Sequence, residues 1–183
     1  MLLNRTKKLA LGSIITALGM ILMLLTGVFP FAEYALPGLA GALMIILVTE
    51  LGKGYSFVSF LAVAILSFIL VPLKDSAVFY AVFLGWYPIM KSKLESINNF
   101  AIQWILKVLI FNISLVTGVF LSVYLFGVKE YLEIFSYAVW LITALWVFVN
   151  VVFVIYDTAL TRWATIYIRW FKPRYLNKIF KNY

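Results

Sequence analysis

The sequence contains no cysteine and no histidine, and charged residues make up only 12% of its 183 positions. Without cysteine the chain cannot form a disulfide bond or present a thiolate. Without histidine it lacks the most frequent acid–base catalyst and the usual nitrogen ligand of zinc. We therefore expect no metal site, no cofactor and no enzymatic activity.

Apolar residues take the place of the missing polar ones. Hydrophobic residues account for 65% of the chain and the mean hydropathy is +1.06, whereas a soluble domain is roughly 45–50% apolar and about 25% charged. The apolar stretch from residue 9 to residue 160 is interrupted by five short polar segments. They lie at residues 30–34, 52–56, 72–76, 91–99 and 127–133. The sequence thus predicts an integral membrane protein.

The interruptions predict six transmembrane helices, because a helix pairs its backbone groups internally where hydrocarbon cannot. The predicted helices cover residues 9–29, 35–51, 55–71, 76–90, 101–126 and 132–160. The expected fold is all-α, a compact six-helix bundle over residues 1–160. A basic, aromatic interfacial tail over residues 161–183 is expected to follow it.

Lysine and arginine are distributed unevenly between the predicted loops. If the N-terminus is cytoplasmic, thirteen of the fifteen lie on the inner side, and only Lys74 and Lys129 lie outside. This positive-inside bias predicts a multi-pass protein of the cell membrane with both termini in the cytoplasm. Orientation and attraction to anionic membrane lipid explain the net charge of +8, so we expect no nucleic-acid partner.

A group of charged residues is predicted near the cytoplasmic ends of the helices. It comprises Glu50, Lys91, Glu95, Lys107 and Asp157. Lys91 and Glu95 are four residues apart and can pair on one helical face. The alternating signs favour a neutral network that locks the helix ends together. A proton or ion relay would use the same residue types.

Polar residues also lie deep inside the last two predicted helices. In the last helix they recur every seven residues, at Ser136, Thr143, Asn150 and Asp157, which places them along one face together with Trp140. Asn112 lies well inside the fifth helix. Such residues form hydrogen bonds between helices, or they meet aromatic residues of the outer half and form a small-molecule pocket.

The first two predicted helices resemble a known family. The segments KKLALGSIITALGMIL and YALPGLAGALMIIL look like the opening of the substrate-binding S components of energy-coupling-factor (ECF) transporters, and AVFYAVFLGWYPIMKSKLE is similar to a segment in that group. The resemblance implies a compact six-helix binder of a vitamin or metabolite. It also implies a transmembrane coupling subunit and two cytoplasmic ATPases of the ABC type as partners.

The resemblance further implies that small residues four apart on the first helix contact the coupling subunit. The nearest matches are Gly12 with Thr16 and Ser13 with Ala17. Whatever the partner, such pairs allow two helices to approach closely.

The leading hypothesis is a membrane-embedded solute-binding subunit of an uptake system for a small vitamin-like or planar metabolite. Its predicted substrate-binding residues are Glu33, Tyr34, Tyr80, Tyr87, Asn112 and Trp140. The alternative is a structural or regulatory membrane protein that assists lipid or cell-envelope machinery through the tail. An intramembrane enzyme using Glu50 or Asp157 is disfavoured, because the sequence shows no paired acids and no nucleophile–base motif.

Overall fold

The computed structural model describes residues 5–128, 131 and 138–176. Within these residues the fold is all-α and contains no strand, as the sequence predicts. The α-helices are α1 (Arg5–Leu25), α2 (Ala35–Leu51), α3 (Lys53–Leu70), α4 (Lys74–Phe79), α5 (Tyr87–Leu94), α6 (Phe100–Phe126) and α7 (Val139–Ile166). A 3-10 helix covers Pro30–Ala32, and π-helices cover Tyr80–Leu84 and Tyr167–Leu176.

Four apolar helices in the described part of the chain are long enough to cross a membrane. They are Thr6–Leu25, Lys53–Leu70, Phe100–Phe126 and Val139–Arg174. Ala35–Leu51 is apolar but has 17 residues, and the predicted fourth span is divided between α4, a π-helix and α5. These lengths fit an all-α membrane protein. The count of six crossings and the side of each terminus stay predictions.

Local residues explain where several helices begin and end. Asn99 caps α6, since its side-chain oxygen accepts hydrogen bonds from the backbone nitrogens of Ala101 and Ile102 at 3.0 and 3.2 Å. Gly127 ends the same helix with a φ of +66°, and Gly52 separates α2 from α3 with a φ of +88°. Both angles lie in the left-handed region that favours glycine.

Two apolar clusters form the core. The first joins α1, α2 and α3 and includes the fully buried side chains of Met23, Met44 and Val63. The second is aromatic and joins the middle of the chain to α6 and α7: the ring centroids of Phe83 and Tyr87 are 4.6 Å apart, and those of Phe111 and Phe153 are 4.5 Å apart. These clusters fix the last two helices against the first three.

The segment from α4 to α5 lies between the other helices, and glycine makes this packing possible. A Cβ atom on Gly41 of α2 would overlap the carbonyl oxygen of Leu84, and one on Gly118 of α6 would lie 2.7 Å from the ring of Phe79. The chain therefore has small residues on both sides of this central segment.

The two ends of the bundle differ in chemistry. At one, called here the tyrosine end, Tyr34 and Tyr131 hydrogen-bond to Asp75. At the other, called the lysine end, Lys91 and Lys107 pair with acidic residues. Because α3 and α6 each run from one end to the other, the two sites are separated by the apolar core.

The half of α7 nearest the tyrosine end has little packed against it. Trp140 is 69% exposed and Thr143 is also exposed, whereas Asn150 and Asp157 on the predicted polar stripe face other helices. Ser136, the first residue of that stripe, lies outside the described residues. The seven-residue spacing therefore identified the face correctly for the second half of the helix only. Spacing along one helix does not determine where a neighbouring helix lies.

Candidate functional site

Asp157 of α7 is the centre of a buried network at the lysine end. One carboxylate oxygen accepts hydrogen bonds from Lys91 and from the hydroxyl of Tyr87, the latter at 2.6 Å. The other oxygen accepts from Lys107 at 2.9 Å. Glu95 completes the network with contacts of 2.6 Å to Lys91 and 3.1 Å to Lys107. Five residues on or near α5, α6 and α7 are thereby connected.

The network is electrically balanced, and three of its four charged residues are buried, whereas Glu95 is partly exposed. Lys91, Lys107 and Asp157 are only 4%, 2% and 3% exposed, and two lysines face two carboxylates. Burial alone would raise the pKa of Glu95, but hydrogen bonds from both lysines lower it below its ordinary value. The predicted pairing of Lys91 with Glu95 is confirmed, and so is the inclusion of Lys107 and Asp157.

Glu50 belongs to a different contact from the one predicted. Its carboxylate lies 2.9 Å from the ammonium of Lys172 and accepts a hydrogen bond from the hydroxyl of Tyr167 at 3.2 Å. The last helix continues past residue 160 to Ile166 before the π-helix begins. The first part of the predicted tail is thus held against the end of α2.

Asp75 is the centre of a second polar cluster, at the tyrosine end. Its Oδ2 accepts hydrogen bonds from the hydroxyls of Tyr34, at 3.2 Å, and Tyr131, and these two hydroxyl oxygens lie 2.7 Å apart. The neighbouring Ser76 donates to the backbone carbonyl of Glu33 at 3.0 Å, which holds the first loop over the start of α4. The Asp75 side chain is buried, yet its Oδ1 has no hydrogen-bond partner among the described residues.

Aromatic rings surround this carboxylate, and no described lysine or arginine forms an ion pair with it. The ring of Phe79 lies 5.4 Å from that of Tyr34 and 6.5 Å from that of Tyr131, measured between centroids. The ammonium of Lys74 instead donates to two backbone carbonyls near the end of α3. Burial raises the pKa of Tyr34 and of Tyr131, so both hydroxyls stay protonated as donors at neutral pH.

The structure brings only part of the predicted substrate site together. Glu33 and Tyr34 lie at the tyrosine end, beside Asp75. Tyr80 is fully buried, and its hydroxyl has no partner among the described residues. Tyr87 lies elsewhere, because its hydroxyl binds Asp157 at the lysine end. The sequence-based pocket in the outer half therefore does not include Tyr87.

The remaining two predicted residues have other surroundings. Asn112 donates to the side-chain oxygen of Asn150 at 2.9 Å and to the carbonyl of Val108 at 2.8 Å, and Asn150 donates back at 3.3 Å. This reciprocal pair is the helix–helix contact that the sequence left open as an alternative. The exposed Trp140 is not brought to the tyrosine-end cluster.

Sequence reasoning missed two contributors that the structure identifies. Asp75 falls in the polar segment 72–76 and Tyr131 in the polar segment 127–133, and nothing in the local sequence connects positions 56 residues apart. A signal did exist for Tyr87. It precedes Lys91 by four residues, as Lys91 precedes Glu95, which places all three on one helical face.

A groove between α1 and α3 contains all four predicted partner-contact residues. Gly12, Ser13, Thr16 and Ala17 line one wall of this 590 Å³ space. The other wall comes from α3, from Tyr55 to Leu66. The hydroxyls of Ser13 and Thr16 donate to carbonyls of their own helix, and Lys8 lies at the end of the same wall.

No group of three acidic or other metal-binding side chains is close enough to hold a metal ion within the part of the chain that the structure describes. Comparisons with known protein families, with curated proteins and with solved structures find no match for this chain. Its function is therefore inferred from the geometry of its own sites.

Proposed function

We propose that this protein is the membrane-embedded, substrate-binding S subunit of an ECF-type uptake transporter. In this proposal it is a multi-pass protein of the cell membrane with six crossings, both termini in the cytoplasm and no catalysis of its own. The lysine end then faces the cytoplasm and the tyrosine end faces outward. The observation that carries the proposal is the buried Asp75, whose Oδ1 has no partner among the described residues.

A bound solute would supply the hydrogen bond that Asp75 lacks. A buried acceptor without a partner costs about 1–3 kcal/mol, and more if it is charged. The two tyrosine hydroxyls satisfy only Oδ2. A small metabolite with an N–H group or a cationic nitrogen could satisfy Oδ1, and the rings of Tyr34, Phe79 and Tyr131 could contact its planar or cationic part.

The groove between α1 and α3 supports the second part of the proposal, a coupling subunit. Its small residues, from Gly12 to Ala17, leave room for a helix of another protein. The proposed occupant is one transmembrane helix of that coupling subunit, which in turn connects this protein to two ABC-type ATPases.

The solute site is tested with the purified full-length protein and with uptake by intact cells. Molecules that co-purify are identified by mass spectrometry, and vitamins and small amines are screened by the shift in melting temperature. We expect Asp75→Asn and Tyr34→Phe to weaken binding and uptake of the ligand found by about tenfold. Asp75→Asn removes the negative charge of the acceptor, and Tyr34→Phe removes a hydrogen bond that holds this side chain in place. Tyr124→Phe is the control, because Tyr124 is exposed on α6 near the same end.

Two results would contradict the solute site. One is a protein that carries nothing and responds to no compound in the screen. The other is a ligand whose binding is unchanged by Asp75→Asn although the variant remains folded.

The coupling groove is tested separately. We expect Ala17→Leu to block co-purification with the coupling subunit and to abolish uptake while solute binding remains, because the larger side chain fills the groove. Ala10→Leu adds the same atoms to an exposed position of α1 that does not line the groove. Equal effects of the two variants would exclude this face as the contact.

A further inference from the structure

A second cavity, at the lysine end, lies between α2, α5 and α7. It has a volume of about 330 Å³ and is called here the Arg169 cleft. Its apolar lining includes Ile45, Val48, Leu160 and Ile168. Its polar lining includes Lys91, Glu95, Arg169, Ser92 and three threonines. A lining that is partly apolar and partly polar suits an amphipathic ligand.

The charge that the cleft offers to a ligand comes from Arg169. Lys91 and Glu95 also line it, but they belong to the balanced network with Lys107 and Asp157. Arg169, in contrast, is exposed and has no partner among the described residues. Its planar guanidinium can donate two hydrogen bonds to one phosphate group.

The hydroxyl groups of the cleft limit which ligands it can bind. Thr49, Thr161 and Thr165 donate to carbonyls of their own helices. Ser92 is exposed at the mouth and has no hydrogen-bond partner within the described residues. Arg169 and Ser92 are therefore the two donors left for an acceptor-only ligand, such as a phosphate diester.

Two tryptophans close to Arg169 in the sequence indicate the depth of the cleft in the membrane. Trp163 and Trp170 are exposed on the same helical segment as Arg169. Tryptophan is enriched where lipid head groups meet hydrocarbon. An apolar wall at this depth suits an acyl chain, and a cation beside it suits the head group of an anionic lipid.

We propose that the Arg169 cleft binds one anionic phospholipid from the leaflet at the lysine end, with its phosphate on Arg169 and Ser92 and an acyl chain along Ile45 and Ile168. This site is independent of the solute site at Asp75. It would couple the packing of α2 against α7 to the lipid composition of that leaflet.

The test is native mass spectrometry of the full-length protein, titrated with phosphatidylglycerol or with phosphatidylcholine of the same acyl chains. We expect one phosphatidylglycerol to bind about tenfold more tightly than phosphatidylcholine, and Arg169→Gln to remove that preference. Arg162→Gln is the control, because it removes the same charge from an exposed position of α7 that does not line the cleft. Ile168→Trp should weaken both lipids by filling the apolar part of the cleft.

The proposal is overturned if Arg169→Gln and Arg162→Gln have equal effects, since the preference would then reflect net charge alone. It is also overturned if both lipids bind equally, or if millimolar inorganic phosphate displaces the lipid. A melting temperature for each variant close to that of the parent protein shows that lost binding is not lost folding.

Discussion

Replacing Asp157 by asparagine should destabilise the protein strongly, because Asp157 is the shared partner of two buried lysines. Asparagine keeps the shape of the side chain but removes the negative charge shared by Lys91 and Lys107, which are 4% and 2% exposed. Glu95 alone would then balance two buried cations. Removing one partner from a buried ion pair costs about 3–5 kcal/mol, because the remaining charge is left without compensation.

A second substitution tests the cause of that loss. In Asp157→Asn combined with Lys107→Met, only Lys91 and Glu95 remain, and they balance each other. We expect the double variant to be about 1–3 kcal/mol more stable than Asp157→Asn alone. The free energy of unfolding is measured in mixed micelles by titration with a denaturing detergent.

Glu50→Gln is the control. It also removes an acidic residue at the lysine end, but its partner Lys172 is 37% exposed and can turn to water, so we expect a loss of about 1 kcal/mol or less. Equal losses for Glu50→Gln and Asp157→Asn would refute the reasoning, as would a double variant no more stable than the single one. If the network were a proton relay and not a static contact between helix ends, Asp157→Asn would abolish proton-dependent uptake and leave the stability unchanged.

Three further predictions concern acid sensitivity and helix packing. The pKa of Glu95 is lowered in the folded state, so its contribution to stability is present above the ordinary glutamate pKa of 4.5 and is lost as the pH falls below it. The melting temperature of Glu95→Gln should therefore fall less between neutral and acid pH than that of the parent protein. Gly41→Ala should destabilise the protein by about 1–3 kcal/mol, since its Cβ would overlap a backbone carbonyl. Gly54→Ala is the control and should have no adverse effect, because no atom lies within 4 Å of the added Cβ. Thermal unfolding of both variants checks this. Asn112→Leu should lower the free energy of unfolding by about 0.6 kcal/mol, which is typical of a hydrogen bond between membrane helices. If unfolding in detergent shows a loss above about 2 kcal/mol, this asparagine does more than pair with α7.

The charged network shows how much of a candidate site can be predicted from the sequence. The spacing of Lys91 and Glu95 predicted their pairing, because residues four apart share a helical face. The predicted ends of the helices placed Asp157 and Lys107 in one charged group, and the structure shows that they pair directly. Glu50 met the same criteria but pairs with Lys172, because its carboxylate at the end of α2 lies 2.9 Å from that ammonium in the last helical segment.

The Asp75 cluster shows where that reasoning stopped. Its members come from the residue directly before α2, the start of α4 and the segment after α6. No periodicity relates such positions, because periodicity describes neighbours along one helix only. The same limit explains Trp140, which shares a stripe with Asn150 and still lies exposed.

The sequence by itself determined the all-α class, the approximate helix bounds and the suitability for a membrane, because these depend on apolar length and on the internal pairing of backbone groups. Tertiary structure alone decided which polar side chains meet. The tertiary structure divided the fourth apolar segment around a π-helix that packs against Gly41. It also placed the hydroxyl of Tyr87 against Asp157, and it left one oxygen of Asp75 without a partner among the described residues. Contacts between helices depend on how closely two surfaces can approach, and that is a property of the assembled bundle.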